Sequence, residues 1–196
     1  MTEYPARVEQ LVEHLSLADL EAGLDRVREA PADLGTLEMI VRRPAVDARE
    51  QLDEDHLDLA EGLAGDTWRP RGNRHTPDGS ADPQAQLTVM NVRAAALVAV
   101  DPARRELAGD QLYVDLDISV ANLPAGTRLA LGDAVIEVSE KPHLGCAKFQ
   151  ARFGNDALRL VNSPVGRELR LRGLNARVVV PGTIRRGDSV RKLPSA

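Results

Sequence analysis

The single cysteine of the chain, Cys146, stands in the segment KPHLGCAKFQARFG, residues 141–154, with His143, Lys148 and Arg152 around it. A thiolate attacks electrophiles and binds soft metals, and nearby cations or a helix N-terminus favour it over the thiol. Pro142 and Gly145 predict a turn just before residues 147–153, which puts Cys146 at a helix start with backbone amides aimed at it. A cysteine is equally at home as a small, inert, buried hydrophobe, and spacing alone leaves both readings open. His143 and Cys146 are spaced like zinc ligands, but a structural zinc site takes four ligands and the sequence has no second Cys or His pair. A Cys-His nucleophilic pair lacks a third residue to orient the base. Soft thiolate ligation of a transition metal suits a lone cysteine best when most other ligands come from a cofactor.

Other clusters have plainer readings. Glu54, Asp55, Asp58 and Glu61 read as the solvated face of an acidic helix. Gly62, Gly65 and Gly72 fall in a loop with neither a phosphate-binding Gly-Lys-Ser/Thr nor a strand-bound GxGxxG, so no nucleotide motif is present. His75, preceded by Arg74, offers an anion contact from a long loop, against the plainer reading of a solvated histidine. Arginines cluster at Arg69, Arg71 and Arg74, and again at Arg167, Arg170, Arg172 and Arg177.

Short strands and a few helices must position these residues. Val8, Leu11, Val12 and Leu15 form one helical stripe, and Ser16 with Asp19 predicts a cap before a second stripe of Leu17, Leu20, Leu24 and Val27. Pro31 closes that segment, residues 34–41 predict a first strand, and a boundary near Gly35 separates an N-terminal helical segment, 1–35, from a domain spanning 36–193. Residues 66–86, rich in Gly, Pro, Asp, Asn and Arg, predict a long polar connection. Strands are expected at 86–90, 111–116, 128–131, 134–139, 176–180 and 189–192, with Gly132-Asp133 as a tight hairpin turn. Helical spacing covers 155–160 and 164–171, with Asn155 and Ser163 as caps and Pro164 in the first turn. Scattered short strands without a regular βαβ alternation argue for a mainly β, α+β architecture, barrel-like with peripheral helices, and against a doubly wound sheet.

Composition narrows the function classes. The 196 residues, 43% of them hydrophobic, suffice for a real core, and one cysteine rules out an internal disulfide. The most apolar window, 94–100, is too short to span a bilayer, and no signal-peptide pattern opens the sequence, so no membrane association and a cytoplasmic location are expected. A net charge of −5 and 3% aromatics give neither electrostatic pull nor stacking platforms for nucleic acid.

Taken in chain order, several segments are similar to the MOSC family, whose β-rich fold is named from molybdenum-cofactor sulfurases. They are GLAGD at 62–66, NRH at 73–75, QLTVMN at 86–91, GDQLYVDLDIS at 109–119, GTRLALGDAVIEVS at 126–139, the cysteine segment, and RGLNARVVVPGTIRRGDSV at 172–190. The resemblance spans about Leu37 to Val190 and implies a barrel-like fold that binds molybdenum cofactor (molybdopterin), with the Cys146 sulfur on molybdenum. It also implies that basic and polar residues hold the pterin and its phosphate, making Arg74, His75, Asn91, His143, Lys148 and Arg172 the candidates. Relatives include reductases of N-hydroxylated bases and amidoximes, and domains attached to pyridoxal-phosphate-dependent cysteine desulfurases. With three lysines and no large α/β domain, this chain is not expected to form the pyridoxal phosphate aldimine itself. Stand-alone reductases of the family often carry His-Gly-Gly after the early Gly-Asp, whereas His75 is followed by Thr76, Pro77 and Asp78.

Three functions follow from the resemblance. The first is a molybdenum-dependent reductase of a small N-oxygenated substrate, fed by an electron-donor protein because the sequence carries no flavin, haem or iron-sulfur motif. The second is a sulfur carrier holding a persulfide on Cys146 and served by a cysteine desulfurase. The third is a cofactor-binding domain without chemistry of its own. The N-terminal helices lie outside the resemblance and read as a cap on the barrel or an oligomer surface, and oligomeric state is left open.

Overall fold

A computed structural model describes residues 14–194. Two short helices, α1 (Leu17–Ala22) and α2 (Leu24–Arg28), lead into β1 (Leu34–Arg42), β2 (Glu50–Leu52), β3 (Glu54–Asp58), β4 (Gly62–Leu63) and α3 (Trp68–Arg71). Then come β5 (Leu87–Asn91), α4 (Val92–Val98), β6 (Leu112–Asp115), β7 (Arg128–Leu131) and β8 (Ala134–Val138). The chain continues through α5 (Ala147–Asn162), α6 (Pro164–Glu168), β9 (Leu174–Val180), β10 (Gly182–Arg185) and β11 (Ser189–Lys192). Val8, Leu11 and Val12 of the first expected stripe lie outside the described residues.

Seven strands close into a mixed barrel in the order β11-β7-β8-β9-β5-β6-β1, with β1 returning to β11 and β2 added outside β1. All pairings of the ring are antiparallel except β5 with β6, whose crossover runs through α4 and a 3-10 turn at Pro102–Ala108. A second, three-stranded sheet has the order β10-β3-β4. The barrel-like, mainly β expectation with peripheral helices therefore holds, and each strand expected beyond residue 34 is present within two residues of its expected bounds.

Alternation along the strands divides the apolar side chains between two cores. Leu87 and Val89 of β5 and Leu112 and Val114 of β6 belong to the barrel interior, while the neighbouring Met90 and Tyr113 face the helices. In β1 the register shifts between Leu37 and Met39, so both Leu37 and Ile40 point inward while Val41 joins the outer core. Leu20, Leu24 and Val27 of the N-terminal helices are buried in that outer core together with Phe149, Phe153 and Leu160 of α5.

Turn chemistry explains two details. Leu131 pairs with Ala134, leaving Gly132-Asp133 as a two-residue turn with φ +54° at Gly132 alone. A positive φ only at the first position is the type II′ pattern, which calls for Gly first rather than the Asp-Gly order of type I′. Helix α5 joins the helix start expected after Cys146 to the expected stretch 155–160, broken at Gly154, where φ is +90°, and the stretch expected from Pro164 forms α6. Ser163 caps α6 as expected, its hydroxyl accepting from the Gly166 amide.

The acidic cluster is a correction. Glu54, Asp55 and Asp58 are not on a helix: residues Glu54–Asp58 form β3, paired along its length with β10. Of its five side chains only Leu57 is fully buried, so one inward residue on a period of two decides the strand where an apolar helical stripe is missing. Asp58 then accepts from the Ala60 and Glu61 amides and turns the chain into β4.

Candidate functional site

Cys146 is the N-cap of α5, with extended backbone (φ −128°, ψ 176°), and its carbonyl accepts the first helical hydrogen bond from the Gln150 amide. Its side chain makes no capping bond and is exposed. The turn in front of it is pinned to the far end of the same helix. The Gly145 amide donates to Asn162 Oδ1 at 2.9 Å, and Asn162 Nδ2 donates back to the Gly145 carbonyl. A Cβ at 145 would stand 2.8 Å from Leu158 Cδ1 and Val161 Cγ2, side-chain ends that would have to shift to admit it.

Cys146 lines a cavity of about 190 Å³. Six cations share the wall: Arg43 and Arg49 from the β1–β2 connection, Arg71 from α3, Lys148 and Arg152 from α5, and Arg172 just before β9. Asp47 is the one carboxylate among the described residues lining it.

Two of the cations are fixed from beneath. The Arg43 guanidinium donates to both oxygens of the buried Asp66, at 2.8 and 2.9 Å, and to the Gly109 carbonyl. Arg172 donates to Asp110 Oδ2 at 2.5 Å and to the Ala108 carbonyl, and lies 5.2 Å from the centre of the Phe149 ring. Such forked, charge-assisted bonds hold a guanidinium plane in one orientation.

Four more cations face the cavity with weaker neutralisation. Asp47 reaches across to Arg152 at 2.9 Å and to Lys148 at 3.7 Å. Arg49 donates to the Ala48 carbonyl and has no carboxylate partner among the described residues. Burial, then the neighbouring Arg152 and Arg43, pull Arg49 below the usual arginine range. Burial and Arg43 act on Arg71 in the same direction. Crowded, partly desolvated guanidiniums of this kind are stabilised by an anion.

His143 stands on the other side of the cysteine loop. Its Nε2 lies 3.0 Å from Asp110 Oδ1, and Asp110, with no exposed side-chain surface, therefore joins His143 to Arg172. Burial pushes the Asp110 carboxyl up, but Arg172 and His143 outweigh it and hold the group below the usual carboxylate range. An ionised carboxylate can only accept, so Nε2 carries the histidine proton. Burial, then Arg172, lower His143 against the opposing pull of Asp110.

Of the expected site residues, the fold brings Cys146, Lys148 and Arg172 together at the cavity. It places His143 behind them. Asn91 is a buried N-cap of α4, its Oδ1 accepting from the Arg93 and Ala94 amides and its Nδ2 donating to the Leu116 carbonyl, and it does not line the cavity. Arg74 and His75 are exposed, bond to each other at 3.1 Å, and do not line the cavity. Arg43, Arg49, Arg71 and Arg152 take their place, although only Arg152 lay in the segment that drew attention to the cysteine. Among the described residues no three His, Cys, Asp or Glu side chains group to hold a metal ion by themselves. No helix among them is long and apolar enough to cross a membrane.

A protein-family model described as the MOSC domain matches residues 80–191. Among solved structures, the fold is similar to that of the YuaD protein from Bacillus subtilis, with a TM-score of 0.61 and 15% identity over 80% of this chain and 94% of that one. It is also similar to YiiM from Escherichia coli, with a TM-score of 0.55 and 20% identity over 82% and 71% of the two chains. YiiM from Geobacillus stearothermophilus aligns with a TM-score of 0.51 and 11% identity over 84% and 75%. No curated protein matches the sequence.

Proposed function

This chain belongs to the MOSC domain family, and from that membership we propose that it binds molybdenum cofactor at the pocket around Cys146 and reduces small N-oxygenated compounds there. The observation that carries the reading is an exposed thiol on a cavity whose wall holds six cations and one carboxylate. The donor set suits the group: a soft sulfur for the metal, and Arg49, Arg71, Lys148 and Arg152 for the phosphate. With no metal-binding cluster among the described residues, the remaining metal ligands belong to the cofactor. Bound there, the cofactor would supply the oxygen-atom-transfer chemistry of its metal.

The chain's own residues bind and orient. The Gly145–Asn162 clamp fixes where Cys146 presents its sulfur. Arg172, locked by Asp110 and covered by Phe149, is a rigid positive wall. Asp47 holds Lys148 and Arg152 until an anion takes its place. Reduction of an N-hydroxy group to the amine and water consumes two electrons and two protons, and a partner protein supplies the electrons.

The test is elemental analysis for molybdenum, with pterin fluorescence after oxidation, on protein from cells able to make the cofactor and on Cys146→Ala. Stoichiometric metal that is lost in the variant, together with amidoxime reduction by the loaded protein, is the expected result. Metal retained without turnover under any electron donor points to a cofactor-binding domain instead. Absence of metal from both proteins sinks the reading. A second reading is favoured by the exposure of Cys146: the same cations stabilise an anionic persulfide, and mass spectrometry after incubation with a desulfurase tests for added sulfur at that residue.

A further inference from the structure

A second cavity, of about 320 Å³, lies on the opposite side of the cysteine loop, between that loop, α6 and the start of β9. Its wall is apolar at Leu144, Val161 and Leu174. A dry cavity of roughly 150 Å³ holds a benzene. The present one is about twice that size and matches a ligand of roughly a dozen heavy atoms.

Charge and hydrogen bonding select the kind of ligand. Arg170, in this wall, donates to the Ile118 and Leu123 carbonyls and has no carboxylate partner among the described residues. Burial alone pulls it below the usual arginine range. Arg167 lies beside it, donating only to the Asn162 carbonyl. Lys141 is already paired with Asp82, and Glu140 is the single carboxylate among the described residues of the wall. Ser139 is 8% exposed and its hydroxyl has no protein partner. A half-buried cation without a carboxylate partner among the described residues and an unused hydroxyl line the same cavity as these apolar side chains, a combination complementary to an anionic head on an apolar body.

We propose that this cavity binds a small aliphatic or aryl monocarboxylate, its carboxylate at Arg170 and Ser139 and its body against Leu144, Val161 and Leu174. The site is separate from the Cys146 pocket and does not rest on the cofactor reading. It touches that pocket indirectly, because His143 in its wall shares Asp110 with Arg172.

Octanoate, with about ten heavy atoms, fits the volume and serves as probe in isothermal titration calorimetry on the full chain. Arg170 also ties two backbone carbonyls, so its removal confounds binding with folding, and the variants are Ser139→Ala and Leu144→Trp. One octanoate per chain is expected at millimolar concentration or below. Loss of the hydroxyl contact to a charged group weakens it about tenfold, and the indole at 144 weakens it at least as much by filling the cavity. 1-Octanol, without the charge, binds far more weakly. No heat from the parent protein, unchanged affinity in either variant, or octanol binding as tightly as octanoate overturns the proposal. Molybdenum content plays no part in this readout, so failure of the cofactor reading leaves it intact.

Discussion

Asp47 holds two of the cavity's cations from across its mouth while standing in a left-handed backbone conformation, φ +61°. Because its carboxylate is largely exposed, the pairs are worth only about 0.2–1 kcal/mol each. Asp47→Asn is therefore expected to tighten binding of inorganic phosphate up to about fivefold, read by calorimetry at low salt. The Arg172–Asp110 pair is a different case, fully buried. Arg172→Met leaves a buried carboxylate with His143 alone, and urea unfolding should show a loss of about 3–5 kcal/mol. His143 adds a pH dependence. Its folded value lies below the unfolded one, so its contribution is whole above about pH 6.5 and is lost as pH falls through the folded value. The thermal midpoint should drop between about pH 7 and 5, and His143→Asn should flatten that drop. Asp110 acts in the same direction, but only at more acid pH. At this scale the sequence was readable where signals were local. Cys146 with Pro142 and Gly145 predicted its helix start, while Asn91 ahead of VRAAALV, in hindsight, carried a cap signal rather than a ligand signal. That Arg43, Arg49 and Arg71 meet beside Cys146 depends on how β1, α3 and α5 converge, and no neighbour in sequence encodes it.

Single glycines set several of the elements that carry the site. Gly173 has φ +104°, and a Cβ there would stand 2.5 Å from the Val89 carbonyl and 3.3 Å from Asp110 and His143. Gly173→Ala combines a left-handed backbone cost with overpacking and should lower stability by about 2–3 kcal/mol, with a fall in thermal midpoint as the readout. The lesion would also press on the Asp110–His143 contact. Elements with a period-two apolar pattern were legible in sequence because burial on one face enforces it, as in Arg128–Leu131 and Ala134–Val138. Strand β3 was hidden because its charge density masks a pattern reduced to Leu57, and β10 supplies the pairing from 125 residues or more downstream. The long connection at 66–86 was recognisable by composition. Its direction was not, since the buried Trp68 turns Arg71 toward the cavity while Arg74 and His75 project into solvent.

The whole molecule joins a filled barrel to an outer helical core, and α1 and α2 are part of the second rather than an appendage. Leu20, Leu24 and Val27 each bury a side chain worth roughly 1.5–3 kcal/mol. Removing the chain up to residue 30 should therefore cost a large share of the folding free energy, visible as a lower midpoint in denaturant for the truncated protein. Barrel closure was foreseeable only as a class, because strand order is a property of long-range pairing that periodicity does not report. The seam itself has a consequence in time. The ring is completed by Leu34 against Arg191, Gly35 against Val190 and Thr36 against Ser189. During synthesis this part of the β1 edge therefore waits for residues about 155 positions downstream to leave the ribosome before its partner exists. In that interval it offers unpaired amides and carbonyls to any passing strand, so nascent chains stalled before β11 should be the species most in need of a chaperone.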